Sequence, residues 1–153
     1  MRQFAGDYRY EYGYEIPIHV LVEKVGEVAQ LYTQHAYMRP LCVVTILFTF
    51  DDEKGPQLFK IDPAGYFVGY KATATGEKEQ SALNHLEREF KKKLDLTTDE
   101  TIKVAIKTLQ TTLSTEFRSS DIEIALVHDE DTNVHILSQE EIERELSKVG
   151  ESD

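Results

Sequence analysis

The chain has 153 residues, 28 of them acidic and 17 basic, and its formal net charge is −11 at pH 7. This length suits one domain, and the negative charge argues against nucleic acid as a partner, because a phosphate-binding surface needs lysine and arginine. The single cysteine excludes an internal disulfide and fits a reducing compartment, so we expect a location in the cytoplasm and nucleus.

No segment has the sequence of a membrane-spanning or secretory element. The longest apolar run, Leu41 to Phe50, is about half the length that a membrane-spanning helix requires, and the first residues lack the apolar middle of a signal peptide. We therefore expect no membrane partner. Acidic residues are most concentrated over 129–153, which predicts a solvated terminal helix and a frayed acidic tail over about 147–153.

The first elements in chain order are two helices. Aromatic residues at positions 4, 8 and 12 predict a helix that ends at Gly13, although four alternating tyrosines (Tyr8, Tyr10, Tyr12 and Tyr14) leave a strand as the alternative. After Pro17, apolar residues recur at helical spacing. This second helix is expected to end at Arg39, because Pro40 lacks an amide hydrogen and crowds the preceding residue.

Three strands follow the second helix. The run from Leu41 to Phe50 is apolar at odd and even positions, which predicts a strand covered on both faces. Residues 57–61 are expected to return beside it, and the order Asp62-Pro63-Ala64-Gly65 predicts a tight turn before a third strand over about 66–74.

The second half of the chain predicts two helices, a short hairpin and a last helix. Apolar residues at 83, 86, 90 and 94 indicate one helix, with Glu87/Lys91 and Glu89/Lys93 ion pairs on its wet side. Thr97 and Glu100 have the spacing of a capping box for the next helix, whose expected buried stripe is Ile102, Ala105, Ile106, Leu109 and Leu113. Residues 121–127 and 134–137 predict paired strands, and Ser138 with Glu141 repeats the capping-box spacing.

Strands that arrive in consecutive runs favour antiparallel pairing and an α+β fold. The apolar strand needs a covering layer on each of its two faces, and helices precede and follow the strands in the chain. Together these features suggest a four-layer sandwich, in which helices enclose two sheets. Five strands are few for that architecture, so we expect that an upstream part of the sandwich is absent.

No pattern of nucleophilic catalysis is visible. Nucleophiles need an adjacent base, and the five histidines, His19, His35, His85, His128 and His135, share no signature. Cys42 is expected to be inert packing at the start of the buried strand. No catalytic residue and no cofactor are predicted.

Three weak ligand patterns have simpler explanations. Asp129, Asp131, Asn133 and Glu140 match positions of a calcium loop, but Val134 stands where its sharp turn needs glycine, so an acidic hairpin turn is the better interpretation. Two histidines at 128 and 135 lack a third patterned ligand. Three lysines at 91–93 end a helix, where cations complement the helix dipole.

One low-grade metal site stays as a hypothesis. A helix ending before Pro40 leaves its last carbonyl oxygens without amide donors. The backbone oxygens of Tyr32, His35 and Met38 are therefore candidate ligands for a cation such as magnesium, with water as the commoner occupant.

Three stretches together carry a family resemblance: YEYGYEIP at 10–17, LYTQHAYMRPL at 31–41 and GPQLFKIDPAGYFVGYKATATG at 55–76. In this order they closely resemble alpha-type subunits of the eukaryotic 20S proteasome, and among these the alpha-one group, also called alpha type 6. The family signature falls on Gly13, Tyr32, Thr33, Gln34, Arg39, Pro40, Gly55, Pro56, Asp62, Pro63, Gly65, Gly69 and Gly76, for which we expect structural roles.

The resemblance implies a partial N-terminal-nucleophile hydrolase fold, a four-layer α/β/β/α sandwich with antiparallel sheets, of which residues 1–153 are the C-terminal three-fifths of one domain. It implies a non-catalytic role in ubiquitin-dependent protein degradation, since in this family hydrolysis belongs to the N-terminal threonine of certain beta subunits. The implied partners are other alpha subunits in a seven-membered ring, beta subunits and, indirectly, regulatory particles. The implied ring-interface residues are Tyr8, Tyr10, Tyr12 and Tyr14.

Two departures from the family pattern are visible. The chain lacks the family's N-terminal portion, which holds the gate-forming tail and the lysine pocket for activator tails. Cys42 also stands where the family usually has glycine after Arg-Pro-Leu. Two alternative functions stay open: a free-standing interaction module that pairs its open sheet edges with another chain, and a hydrolase with a processed N-terminal nucleophile, for which Met1 offers no support.

Overall fold

The computed structural model describes residues 1–51, 53–128 and 133–150. In chain order the elements are α1 (Arg2–Tyr12), α2 (Ile18–Gln34), β1 (Thr45–Asp51), β2 (Gly55–Ile61), β3 (Phe67–Gly69), α3 (Glu79–Lys92), α4 (Thr98–Leu113), β4 (Ala125–Leu126), β5 (His135–Ile136) and α5 (Gln139–Gly150). The predicted succession of helices and strands is confirmed. Both sheets are antiparallel, which confirms the α+β class.

The chain divides into two compact units, one formed chiefly by residues 1–71 and the other by 72–127 with 133–150. In the first unit the sheet has the order β1-β2-β3. Helix α2 packs on one face of this sheet, and the core joins Ile18 and Val22 of the helix to Ile61 of β2, with Leu47 and Phe59 packed against them. The period of the helix and the alternation of the strands place these apolar side chains together.

Strand β1 is shorter than predicted, and the prediction that it is covered on both faces is wrong within this unit. The strand begins at Thr45, which pairs with Ile61, because β2 ends there and offers no partner to residues 41–44. On the face opposite Leu47, the side chain of Phe48 is 43% exposed. Apolar residues are often exposed in folded proteins. A strand that is apolar at odd and even positions therefore need not be covered on both faces.

Helix α1 forms as predicted, but none of its residues is buried. Helix α2 ends at Gln34, five positions before the predicted end at Arg39. Residues 33–40, at the end of the helix and after it, are all exposed, and Tyr37 is fully exposed. A helix without packing gains little from a further turn, which explains the early end.

The turn predicted at Asp62 forms, and the third strand is shorter than expected. The amide of Gly65 donates to the carbonyl oxygen of Asp62 at 3.0 Å, and the Asp62 carboxylate accepts from the amide of Tyr66 at 2.8 Å. Strand β3 ends at Gly69, with one more bond from Tyr70 to β2. The ladder cannot continue because Pro56, farther along β2, has no amide hydrogen to donate.

The second unit contains α3, α4, α5 and the β4-β5 pair. Its core holds Ile102, Ile106 and Val149, with apolar residues of β4 and the preceding segment packed against them. The predicted frayed tail over 147–150 is wrong: these residues are helical, because Val149, 2% exposed, packs into the core. Residues 151–153 of that predicted tail lie outside the described residues.

The buried face of α4 differs from the predicted stripe. Ile102 and Ile106 are buried as expected, whereas Leu109 and Leu113 are 44% and 43% exposed. Thr108 and Thr112 are buried instead. The hydroxyl of Thr108 donates to the carbonyl oxygen of Val104 at 2.6 Å, so a threonine can satisfy its polar atom within the helix and lie against α3.

Both capping boxes form. At α4, the amide of Glu100 donates to the Thr97 hydroxyl and the amide of Thr97 donates to the Glu100 carboxylate, at 3.4 and 2.9 Å. At α5, Ser138 and Glu141 make the same reciprocal pair. These local signals set the helix starts as the sequence predicted.

Candidate functional site

Three tyrosines at the end of α1 form a group that we call the tyrosine cluster: Tyr8, Tyr12 and Tyr14. The ring centroids of Tyr8 and Tyr12 are 4.4 Å apart, and Tyr14 meets Tyr8 edge to face at 5.5 Å. The hydroxyl oxygens of Tyr8 and Tyr14 are 2.8 Å apart. Tyr10 lies outside the cluster and is 93% exposed.

A left-handed glycine builds this cluster. Gly13 has φ +80°, and its amide donates to the carbonyl oxygen of Arg9 at 2.9 Å, which ends the helix and reverses the chain. The reversal returns Tyr14 to the side of Tyr8, and an ion pair of 2.6 Å between Arg9 and Glu15 spans the same bend. The alternation of tyrosines suggested a strand, but the helix and its cap bring three of the four together.

The hydrogen bond with Tyr14, together with a smaller effect of burial and the neighbouring phenols, raises the pKa of Tyr8 to about 12. Tyr8 is therefore neutral at physiological pH. Tyr12 and Tyr14 are each 55% exposed, so aromatic surface with polar hydroxyl groups faces outward. Such amphipathic rings are common in protein interfaces.

A second arrangement joins the family-signature turn to helix α2. A Cβ placed on Gly26 would lie 2.8 Å from the carbonyl oxygen of Gly65, and one placed on Gly65 would lie 2.3 Å from the carbonyl oxygen of Gly26. Gly65 also has φ +91°. The backbones of α2 and the turn thus meet directly, which requires glycine on both sides. The contribution of Gly26 was not predicted from the sequence, because no local signal marks a contact made 39 positions away in the chain.

The other signature residues lie in strands, in turns and near helix ends. Gly69 lies opposite Phe59 in the β2-β3 pair, and a Cβ there would be 3.4 Å from the phenylalanine ring. Gly13, Gly55 and Gly76 have positive φ angles. Their roles in the family stay predictions.

The candidate cation site at the end of α2 is only partly assembled by the fold. His35 caps the helix in an extended conformation, and its carbonyl oxygen accepts a hydrogen bond from the amide of Met38 at 3.0 Å. The Thr33 hydroxyl donates to the carbonyl oxygen of Gln30. One of the three expected ligands, the carbonyl oxygen of His35, is therefore already an acceptor, and Met38 lies beyond the end of the helix. A cation at Tyr32, His35 and Met38 stays a prediction.

Cys42 does not lie in the buried strand, which corrects the prediction. It is exposed, precedes β1, and has φ +54°. The left-handed backbone explains why glycine suits this position, as the resemblance indicated.

The remaining ligand patterns do not come together in the part of the chain that the structure describes. No group of three or more histidine, cysteine, aspartate or glutamate side chains there has metal-binding geometry. Asp129 and Asp131 of the calcium-loop pattern lie outside the described residues. His135 lies 3.8 Å from the Glu141 carboxylate.

The lysines at 91–93 pair with acids, as expected of a solvated helix end. Lys91 contacts Glu87 at 2.8 Å, as predicted, but Lys92 takes Glu89 and Lys93 takes Glu100. The predicted Glu89/Lys93 pair is wrong because α3 ends at Lys92 and the backbone of Lys93 is extended. Among the described residues, no helix is both long and apolar enough to cross a membrane.

A shallow groove of about 580 Å³ lies where α4 and α5 end in the second unit. Its lining includes Lys107, Ser114, Phe117 and Val149. No histidine or cysteine is among the described lining residues.

Comparison with known proteins gives the family. The family model described as "Proteasome subunit" matches residues 1–127. The chain belongs to the proteasome subunit family. It is 42% identical, over 99% of its length, to "Probable proteasome subunit alpha type-1" of Schizosaccharomyces pombe, and 37% identical, over 97%, to "Proteasome subunit alpha type-6" of Caenorhabditis elegans.

An archaeal relative has a similar identity. "Proteasome subunit alpha" of Methanopyrus kandleri is 39% identical over 80% of this chain. The chain spans 62% of the S. pombe relative, 61% of the C. elegans relative and 49% of the archaeal one. It therefore corresponds to about three-fifths of a eukaryotic alpha subunit, and its resemblance to such subunits is confirmed.

Proposed function

We propose that this chain is a non-catalytic structural subunit of the alpha ring of the proteasome core particle, where it supports ring assembly and the entry of substrates for ubiquitin-dependent degradation. The observation that carries the proposal is the 42% identity to an alpha subunit over 99% of the chain. The proposed partners are the other alpha subunits of a seven-membered ring and the beta subunits, with regulatory particles as indirect partners. The proposed location is the cytoplasm and nucleus.

The exposed aromatic surface of α1 supports a role in assembly. The helix has 11 residues and none of them is buried. Helices shorter than about 12 residues are marginal in water unless tertiary packing stabilises them. A protein partner that covers Tyr10 and the tyrosine cluster would supply that packing, which agrees with the proposed ring interface.

A tagged copy of the chain, expressed in its own cells, tests the proposal. We expect it to sediment with a large multi-subunit particle and to copurify with beta subunits. Changing Tyr10→Ser together with Tyr12→Ser should reduce that fraction about tenfold, since buried interface tyrosines contribute most to binding. Tyr37→Ser is the matched control, because Tyr37 is also exposed but lies outside α1. Recovery of free monomer alone would contradict the proposal.

The second candidate is a free-standing interaction module, which the edge of β1, unpaired among residues 1–51, 53–128 and 133–150, favours. The same sedimentation experiment separates the two functions. A module gives small complexes without beta subunits, whereas a ring subunit gives the large particle.

A further inference from the structure

Four hydroxyl residues of the sequence have an acidic residue three positions later: Thr49, Thr97, Ser120 and Ser138. An acidophilic protein kinase selects its substrate through such a charge, because basic side chains beside its active site bind the carboxylate that follows the hydroxyl residue. The spacing by itself is common. The conformation of each residue therefore decides which of the four a kinase can use.

Three of these residues are held in regular structure. Thr49 lies within β1 and is half-buried. At the starts of α4 and α5, the Thr97 hydroxyl is 3.2 Å from a carboxylate oxygen of Glu100, and the Ser138 hydroxyl is 2.8 Å from one of Glu141. In both capping boxes the acid thus folds back onto the hydroxyl group, which leaves neither group available to another protein.

Ser120 is presented differently, because it lies in a turn between α4 and β4. Its side chain is exposed, and so are those of Asp121 and Glu123. Beyond the turn, Ile122 and Ile124 pack against the core of the second unit, whereas Glu123 between them does not. This alternation is typical of an extended segment. The serine and the two acids that follow it therefore lie open to a partner.

The carboxylate of Asp121 closes this turn. One of its oxygens accepts from the amide of Arg118 at 3.0 Å, and the Asp121 amide donates to the carbonyl oxygen of Arg118 at 3.0 Å. The other carboxylate oxygen accepts from the Ser120 hydroxyl at 3.1 Å. The bond from the Arg118 amide, followed by that from Ser120, lowers the pKa of Asp121, so this carboxylate is charged at physiological pH. These bonds join residues at most three positions apart and need no distant segment.

We propose that Ser120 is a phosphorylation site for an acidophilic serine/threonine kinase and that the phosphate opens the turn at Asp121. The Ser120 Oγ attacks the γ-phosphorus of ATP, so that an Oγ–P bond forms and the bond from this phosphorus to the bridging oxygen breaks. ADP leaves, and the hydroxyl proton passes to a base of the kinase. Asp121 and Glu123 are the acids that the kinase recognises.

Phosphorylation replaces an attraction at Asp121 by a repulsion. The hydroxyl group of Ser120 donates to the carboxylate, whereas the phosphorylated Oγ has no proton to donate. The phosphate group also brings a charge of about −1.5 to −2 at pH 7 beside a carboxylate, which is destabilising. Because Ile122 and Ile124 follow directly, the start of this packed segment loosens with the turn. The site does not depend on the proposed role in the alpha ring.

Incubation of the full 153-residue chain with a purified acidophilic kinase and MgATP, followed by mass spectrometry of its peptides, tests the proposal. We expect one phosphate, on Ser120, and none on Thr97 or Ser138. Glu123→Gln should slow the transfer about tenfold, because it removes one charge-assisted contact with the kinase. Glu116→Gln is the matched control: it changes an exposed acid that precedes the turn, and the rate should stay the same.

Two further measurements address the kinase class and the turn. Arg118 lies two positions before Ser120, so a kinase that selects preceding basic residues is the alternative enzyme, and we expect it to transfer phosphate at least about tenfold more slowly. Amide hydrogen exchange at Asp121 should become about tenfold faster in the phosphorylated chain, since its bond to the Arg118 carbonyl oxygen is lost.

Five outcomes would each overturn the proposal. These are no transfer to Ser120, transfer that Glu123→Gln does not slow, equal modification of Thr97 and Ser138, equal transfer by the kinase that selects basic residues, and unchanged exchange at Asp121 after phosphorylation. Equal modification of the capping residues would show that the kinase acts on unfolded chains, so the unmodified protein provides this control without any variant.

Discussion

At the residue scale, two non-glycine residues adopt a left-handed backbone conformation that their residue types do not predict. Cys42 and Ser114 are described non-glycine residues with positive φ, at 54° and 55°. A Cβ in this conformation crowds the neighbouring carbonyl oxygen. At Ser114 the residue ends α4, where left-handed caps are common, whereas Cys42 precedes a strand.

Replacing Cys42 by glycine should raise the free energy of unfolding by about 1 kcal/mol, because it removes the left-handed penalty. Urea denaturation measures the change. Cys42→Ser keeps the Cβ and should give no increase. Equal stability of the glycine and serine variants would show that this position carries no strain.

Tyr8 should titrate abnormally in the folded chain. Its hydrogen bond with Tyr14 raises its pKa to about 12, above the ordinary value of 10.0. A raised pKa means that the contribution of the cluster to stability is present below pH 10 and is lost as the pH rises toward 12. Ultraviolet absorbance of tyrosinate should show that Tyr8 ionises near pH 12 in the native chain, and Tyr14→Phe should lower that pKa. An unchanged titration in that variant would contradict the cluster.

At the element scale, the contact between α2 and the signature turn decides how the first unit packs. The two backbones approach through Gly26 and Gly65, so no side chain separates them. The turn itself is specified locally by Asp62 and Pro63, but its position against the helix is not. That position depends on Gly26, a small residue of α2. The sequence pattern of α2 indicates its apolar face but not this contact.

Gly26→Ala should lower the free energy of unfolding by about 2 kcal/mol, because its Cβ would lie 2.8 Å from a backbone oxygen and overpack the contact. Gly6→Ala in α1 is the matched control. A Cβ on Gly6 meets nothing within 4 Å, so that change should be neutral or stabilising by up to about 1 kcal/mol. Thermal or urea unfolding of both variants measures the difference, and equal effects would contradict the close approach.

The start of α4 should depend on pH. The ion pair with Lys93, followed by the hydrogen bond from the Thr97 amide, lowers the pKa of Glu100 to about 2. A lowered pKa means that this stabilisation is present above pH 4.5 and is lost as the pH falls toward 2. An NMR titration of the Glu100 carboxyl group should have its midpoint at about pH 2, and Lys93→Met should raise that pKa. A midpoint that does not move in this variant would show that the ion pair makes no contribution.

At the scale of the whole molecule, the formal charge of −11 sets which partners the surface can attract. The lysines at 91–93 are already paired with carboxylates. Apolar and aromatic surface is exposed instead, on α1 and on the open face of the first sheet. The molecule therefore presents surfaces for protein contact.

The chain should not bind duplex DNA. Nonspecific binding depends on counterion release by basic residues and reaches about 10⁻⁴ to 10⁻⁶ M when such a surface is present. Fluorescence anisotropy with a labelled duplex at low salt should stay flat over this range. Tight, salt-sensitive binding would contradict the absence of a nucleic-acid partner.

The sequence alone determined what neighbouring residues decide: the order of the elements, the two capping boxes, the left-handed end at Gly13 and the turn at Asp62. The order of the elements follows from apolar periodicity and turn residues, and the caps and the turn depend on hydrogen bonds between residues at most four positions apart, so the local pattern contains them. The tertiary structure decided where α2 and β1 end, which face of α4 is buried, and that Gly26 meets Gly65. Those outcomes depend on which distant segment supplies a strand partner or a packing surface, and no local pattern records that choice.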